Sequence, residues 1–140
     1  MGLRESRFLT LKEIEGPLSS HDGYVKRELS LRKGPLKYVR DPEGLARYIG
    51  GRVEQLGLKE DWAISKEVFP GVKIILFYYR EDEEFPSRFG VLYSGERVRE
   101  VSGIDLVGLT IKCANHMLRW VRETCVGEEL PEVCWEHSPV

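Results

Sequence analysis

The sequence has no long apolar run and little net charge, and these two shortages exclude several classes of protein. No stretch approaches the ~18 consecutive apolar residues needed to cross a bilayer, and the opening MGLRESRFLTLKEIEG lacks the apolar segment of a signal peptide. The 21 basic and 23 acidic residues leave a formal net charge of -2, so only a local patch can attract nucleic acid. We therefore expect a cytoplasmic protein that does not bind membranes.

Cysteine is also scarce. The three cysteines, Cys113, Cys125 and Cys134, are odd in number and follow no disulfide framework. This usage is typical of reduced thiols in an intracellular protein, with a disulfide between Cys125 and Cys134 as the alternative in a hyperthermophile. A chain of 140 residues buries enough surface to fold without a metal or disulfide staple.

No feature of the sequence divides the chain. It contains no internal repeat, no low-complexity segment and no linker rich in serine and proline. We predict a single domain over residues 1–140, in which the N-terminal segment 1–22 and the C-terminal tail 126–140 carry the weakest patterns.

Four segments have the composition of β-strands. Val72–Tyr79, with the sequence VKIILFYY, is an apolar run typical of a central strand that is covered on both faces. Its two predicted faces are Ile75, Phe77 and Tyr79 on one side and Ile74, Leu76 and Tyr78 on the other. Segments 62–68 and 89–93 also favour strands, the latter pairing with 72–79, and loose alternation predicts an exposed strand over 24–31.

Two helices are predicted. Asp41-Pro42-Glu43 is a typical helix start, and apolar residues at three- and four-residue spacing continue the pattern to Gly57. Gly50 and Gly51 within it indicate either a bend or the close approach of another group to the helix backbone, and close packing against the sheet is favoured. A second, longer helix with one apolar side begins at Asp105. The pattern predicts an α+β fold: an antiparallel or mixed sheet of four or five strands with two main helices packed on it.

Four consecutive acidic residues, from Glu81 through Asp82 and Glu83 to Glu84, form the most distinctive segment. Carboxylate oxygens on a hairpin suit Mg²⁺ or Ca²⁺, which would make the protein a metal-dependent enzyme using residues 81–84. A solvated turn followed by a buried Phe85 explains the same residues and is favoured. We then expect Asp82 and Glu83 to face solvent.

A basic segment spans residues 26–40. Its cations would allow contact with the phosphates of single-stranded nucleic acid while the tyrosines stack on bases. A solvated edge strand, protected from aggregation by its charges, explains the same composition and is favoured. The residues of this segment and its border are Tyr24, Lys26, Arg27, Arg32, Lys33, Lys37, Tyr38 and Arg40.

Two Cys/His pairs, Cys113 with His116 and Cys134 with His137, have the residue types of a tetrahedral zinc site. Cys113 and His116 are neighbours on a helix at this spacing, and a tail that folds back would bring the second pair to them. A buried Cys113 that packs beside Met117 as a small apolar residue is the favoured interpretation.

The stretch Val68–Ile74, the sequence D-E-E-F-P at Asp82–Pro86 and the segment Gly90–Tyr93 together resemble an uncharacterised prokaryotic domain family. The resemblance covers about residues 41–122 and implies a strand, an apolar strand, an acidic turn, a further strand and a closing helix. Members are found mainly in anaerobic bacteria and archaea, and no activity has been assigned to them. Family members usually place a Leu-Pro and a Glu-Asp pair before the closing helix, where this chain has Val101–Asp105.

No catalytic constellation is visible: the sequence has no Ser elbow, no Cys-His nucleophile signature and no phosphate-binding glycine loop. Whether the protein is an enzyme stays open, and no cofactor is favoured. The leading hypothesis is a binding or accessory module that acts through protein contacts, with a protein partner or a second copy of the chain. A nucleic-acid binder using segment 26–40 and a metal-dependent enzyme using the acidic turn are the alternatives.

Overall fold

A computed structural model of the chain describes residues 8–125, 130 and 133–136. The strands are β1 (Arg52–Glu54), β2 (Trp62–Phe69), β3 (Val72–Tyr79) and β4 (Arg88–Ser94). The helices are α1 (Leu11–Glu15), α2 (Ser20–Arg32), α3 (Pro42–Ile49), α4 (Gly103–Thr124) and α5 (Val133–Glu136). The predicted α+β class is therefore confirmed. In the part of the chain that is described, no helix combines the length and the apolar content needed to span a membrane.

The four strands form one antiparallel sheet in the order β1-β2-β3-β4. Leu76 of β3 lies between Ile64 of β2 and Val91 of β4, which fixes the register of the three longest strands. The predicted antiparallel pairing of segment 89–93 with 72–79 is confirmed. This topology leaves β4 at one edge of the sheet.

The helices pack on one face of the sheet. Ile74, Leu76 and Tyr78 of β3 belong to the large core that α1 to α4 cover. The opposite face carries a smaller buried group in which Ile75 and Phe77 pack with Ala63 and the half-buried Leu56, Tyr79 and Leu92. Both faces of β3 are thus covered, as its uninterrupted apolar run predicted.

The strand predicted over residues 24–31 is wrong, because this segment lies in helix α2. Val25, Leu29 and Arg32 share one face of the helix and are buried. Tyr24 and Leu31, which suggested alternation, are exposed on the other side. The buried stripe includes a charged residue, so apolar periodicity alone did not reveal it.

The helix that starts at Asp41 is shorter than predicted. The carboxylate of Asp41 caps it by accepting a hydrogen bond from Gly44 N at 3.0 Å, but the helix ends at Ile49. Gly50 closes it with a φ of 78°. A Cβ on Gly51 would overlap the carbonyl oxygen of Ser65 in β2, which confirms close packing of this glycine against the sheet.

Helix α4 has the predicted apolar side, but it begins two residues before Asp105. Ser102 is the capping residue, and its hydroxyl accepts a hydrogen bond from Asp105 N at 3.3 Å. Asp105 instead lies in the first turn, where its charge complements the helix dipole. The buried side chains of Leu106, Cys113 and Met117 face the sheet core.

Candidate functional site

The outer edge of β4 is open to strand pairing over part of its length. Leu9 pairs with Tyr93 through two backbone hydrogen bonds, each 2.7 Å long. The N–H and C=O groups of Tyr93 therefore point away from β3. Because hydrogen-bonding directions alternate along an antiparallel strand, the backbone groups of Phe89 and Val91 point to the same outer side.

In the described part of the chain, protein groups bond to this edge only at its two ends. At one end Leu9 pairs with Tyr93, and the chain then leaves the edge because Thr10 caps helix α1. At the other end Lys33 Nζ donates a hydrogen bond to the carbonyl oxygen of Ser87 at 3.0 Å. Between them, within the described ranges, no protein group bonds to the outward backbone groups of Phe89 and Val91.

Helix α2 runs beside this open edge and forms the second wall of a groove of about 310 Å³, which we call the β4 groove. Lys26 and Ser30 lie on one face of the helix, and Lys33, the residue that caps its C-terminal end, continues that side. Val91 is only half-buried, consistent with a gap beside it. The groove is lined by Thr10, Lys26, Ser30, Lys33, Phe77 and the segment 87–92.

The β4 groove is positively charged. Its lining residues include Lys26, Lys33 and Arg88 and no carboxylate. Lys26 is paired with Asp22 at 2.8 Å, so its charge is partly neutralised. The guanidinium of Arg88 lies 5.5 Å from the centre of the Phe77 ring, on the face of the sheet opposite the helices.

Comparison with known proteins does not assign this chain to a family. No family model, curated protein or solved structure matches the chain. The resemblance carried by Asp82–Pro86 and the prokaryotic origin that it implies stay predictions.

The rest of the basic segment does not form a continuous stripe. Arg32 is buried and donates hydrogen bonds to Asn115 Oδ1 at 2.8 Å and to the Glu28 carboxylate at 3.1 Å. Arg27 lies over the ring of Tyr24 at 5.8 Å, and Lys37 over that of Tyr38 at 5.2 Å. Of the predicted nucleic-acid-binding residues, Lys26 and Lys33 line the groove, and nucleic-acid binding itself stays a prediction.

The acidic turn closes on itself. Asp82 Oδ1 accepts hydrogen bonds from the backbone N–H groups of Glu84 at 2.8 Å and Phe85 at 2.7 Å. Asp82 and Glu83 are exposed, as predicted, and so is Glu84. The predicted burial of Phe85 is wrong, because this side chain is 65% exposed. The hydrogen bonds of the Asp82 carboxylate form a local turn in which the ring of Phe85 projects outward.

Replacement of Phe85 with alanine should therefore lower the free energy of unfolding by less than about 0.5 kcal/mol, since little apolar surface is lost from the core. Urea denaturation followed by circular dichroism measures the change. The control is Phe89→Leu, which trims a buried ring and should cost about 1 kcal/mol. A larger loss for Phe85→Ala than for the control would contradict the exposed position.

The predicted zinc ligands do not form a site within the described part of the chain. Cys113 lies in the core with Met117, whereas His116 is exposed, and His137 lies outside the described residues. No group of three or more His, Cys, Asp or Glu residues that could hold a metal comes together among the residues described. The hydrophobic environment predicted for Cys113 is confirmed.

The environments of Cys113 and Cys134 favour protonated thiols. Burial raises the pKa of the Cys113 thiol, and burial raises that of Cys134 to about 11, so neither supplies a ready thiolate for metal binding. Cys125 and Cys134 are free, so the alternative of a disulfide between them is not formed. The imidazole pKa of His116 is lowered by partial burial and by the nearby charge of Lys66.

Proposed function

We propose that this protein is a binding module that receives an extended polypeptide segment as an added strand in the β4 groove. The observation that carries the proposal is the outer edge at Phe89 and Val91, between Lys33 and Leu9, which no group of the described residues pairs with. Main-chain hydrogen bonds to a free sheet edge supply affinity in this mode of recognition, and contacts to alternate side chains supply specificity. The three free cysteines fit action in a reducing compartment, and we place the module in the cytoplasm.

The pairing of Leu9 with Tyr93 supports the proposal, because this edge already forms one antiparallel bridge to another part of the chain. Phe89 and Val91 are the next residues of β4 whose backbone groups face the same outer edge and can pair with a strand. At about 3.3 Å per residue, the span between Ser87 and Tyr93 is about 20 Å and suits a short strand. Exposed edges are usually blunted against pairing. Here the two ends of the edge are occupied, and its middle bonds to no other described residue.

In the free protein, the backbone amides of Phe89 and Val91 should exchange with solvent at least about tenfold faster than those of Gly90 and Leu92. The first two point into the groove, whereas the second two face β3, where ladder hydrogen bonds protect them. Hydrogen exchange resolved by NMR measures the four rates. Equal protection at Val91 and Leu92 would contradict an open edge.

The binding test uses a fluorescein-labelled octapeptide of alternating valine and threonine with one central glutamate. We expect it to slow exchange at the amides of Phe89 and Val91. Val91→Pro removes an outward N–H that makes no bond to β3, so the ladder is retained while strand addition is blocked. We expect at least tenfold weaker binding, measured by fluorescence anisotropy.

The matched control for this variant is Val91→Thr, which retains the N–H group and the β-branched shape. It should bind the peptide as the unmodified protein does. Undiminished binding by a folded Val91→Pro variant would rule out pairing at this edge.

A further inference from the structure

We infer that the segment bound in the β4 groove is acidic, with a carboxylate held next to Lys33 and an apolar neighbour packed on Phe77. This inference rests on the proposed function and specifies the chemistry of its ligand. The partner is an extended peptide in which an acidic and an apolar residue are adjacent.

Charge complementarity carries the acidic part of the inference. The groove lining contains three cations and no carboxylate. Among the residues described, neither Lys33 nor Arg88 takes part in an ion pair. The hydrogen-bond partner of the Lys33 ammonium is the neutral carbonyl of Ser87, which leaves its charge available to a carboxylate. Charges of one sign in a groove attract a ligand of the opposite sign.

The position of the carboxylate follows from the pleat of the sheet. Residues directly opposite each other on paired strands point to the same face. A residue added opposite Phe89 therefore directs its side chain toward the helix layer, where Phe89 belongs to the core and Lys33, at the end of α2, lines the wall. The acidic residue occupies this position because Lys33 also bonds Ser87, two residues before Phe89.

The neighbouring residue of the added strand points to the opposite face, beside Gly90. Gly90 has no side chain there, and a Cβ on it would overlap the ring of Phe77. Phe77 and Leu92 line this side of the groove, with Arg88 over the Phe77 ring. An apolar side chain at this position extends the small buried cluster on this face, so the ligand pairs an acidic residue with an apolar one.

Three octapeptides test the inference: the valine/threonine probe with glutamate at its centre, and the same peptide with glutamine or lysine there. We expect the glutamate peptide to bind at least tenfold more tightly than the glutamine peptide at low salt, with the lysine peptide weakest. The preference should shrink as the salt concentration rises, since groove and ligand charges are screened.

Two variants with the same change of charge locate the interaction. Lys33→Gln should reduce the preference for glutamate over glutamine to less than about threefold. Lys37→Gln, at an exposed residue outside the groove lining, should leave the preference intact. Circular dichroism verifies that both variants are folded.

Each outcome has a separate meaning. Equal binding of the glutamate and glutamine peptides would overturn the acidic preference and leave strand addition standing. Loss of the preference in both variants alike would overturn the assignment to Lys33. Absence of binding by all three peptides would overturn the proposed function as well. Salt-sensitive binding of labelled oligothymidylate in that case would favour the nucleic-acid alternative.

Discussion

Replacing Gly95 with alanine is expected to lower the free energy of unfolding by about 3 to 4 kcal/mol. Gly95 follows β4 with a φ of 114°, a conformation that L-residues adopt only under strain. A Cβ there would also overlap the carbonyl oxygen of Gly71, which accepts a hydrogen bond from Arg97 N at 2.9 Å. Strain and overlap add, because the neighbouring backbone must move to relieve the contact.

Substitutions at two further glycines distinguish the cost of backbone strain from the cost of the steric overlap. Gly57 has a φ of 75° and open space around the Cβ position, so Gly57→Ala should cost only about 1 kcal/mol. Gly108 lies within α4 with no atom near, and Gly108→Ala should stabilise by about 0.5 to 1 kcal/mol. Urea denaturation of the three variants gives the comparison. A Gly95→Ala variant as stable as Gly57→Ala would show that the overlap is absent.

Replacing Arg32 with alanine is expected to cost about 3 kcal/mol. Arg32 is 3% exposed, and its guanidinium joins α2 to Asn115 on α4 and to Glu28 on its own helix. Its removal takes a donor from Asn115 Oδ1, leaves the Glu28 carboxylate without this partner and empties a packed position. Glu28 is partly exposed, which places the cost at the lower end for buried ion pairs.

Lys33 provides the matched control, since it is the next residue and carries the same charge. Lys33→Ala removes one partly buried hydrogen bond and should change the free energy of unfolding by less than about 1 kcal/mol. The effects on peptide binding should be the reverse of those on stability. Lys33→Ala should weaken binding, whereas Arg32→Ala should change it little under conditions in which this variant is folded. Equal stability of the two variants would contradict the structural role of Arg32.

Sequence patterns predicted the elements in which residue composition, segment length and apolar periodicity all indicate the same secondary structure. Segment Val72–Tyr79 combines β-branched and aromatic residues with a length that suits a strand, and α4 repeats its apolar residues over many turns. Helix α2 was missed because Arg32 occupies a buried position while Leu31 is exposed. The burial of Arg32 depends on its hydrogen bond to Asn115 on α4. Such a contact between distant residues is not contained in the helix or strand propensity of the segment.

The candidate site was predictable only in part. Lys26 and Lys33 stood out as members of the basic segment, but the groove between them and β4 depends on which strand lies at the edge. That position follows from the strand order and from the contact of Leu9 with Tyr93. The backbone groups of Phe89 and Val91 carry no signal in the sequence, because every residue has them.

The sheet is a meander, in which each ladder joins strands adjacent in sequence. Such ladders close short loops at a small entropic cost, whereas the contact of Leu9 with Tyr93 joins distant parts of the chain. We therefore expect β2, β3 and β4 to associate early during folding and Leu9 to dock late. Until that step, the whole outer side of β4 is unprotected, and a newly synthesised chain is most prone to misassociation with its neighbours through this strand.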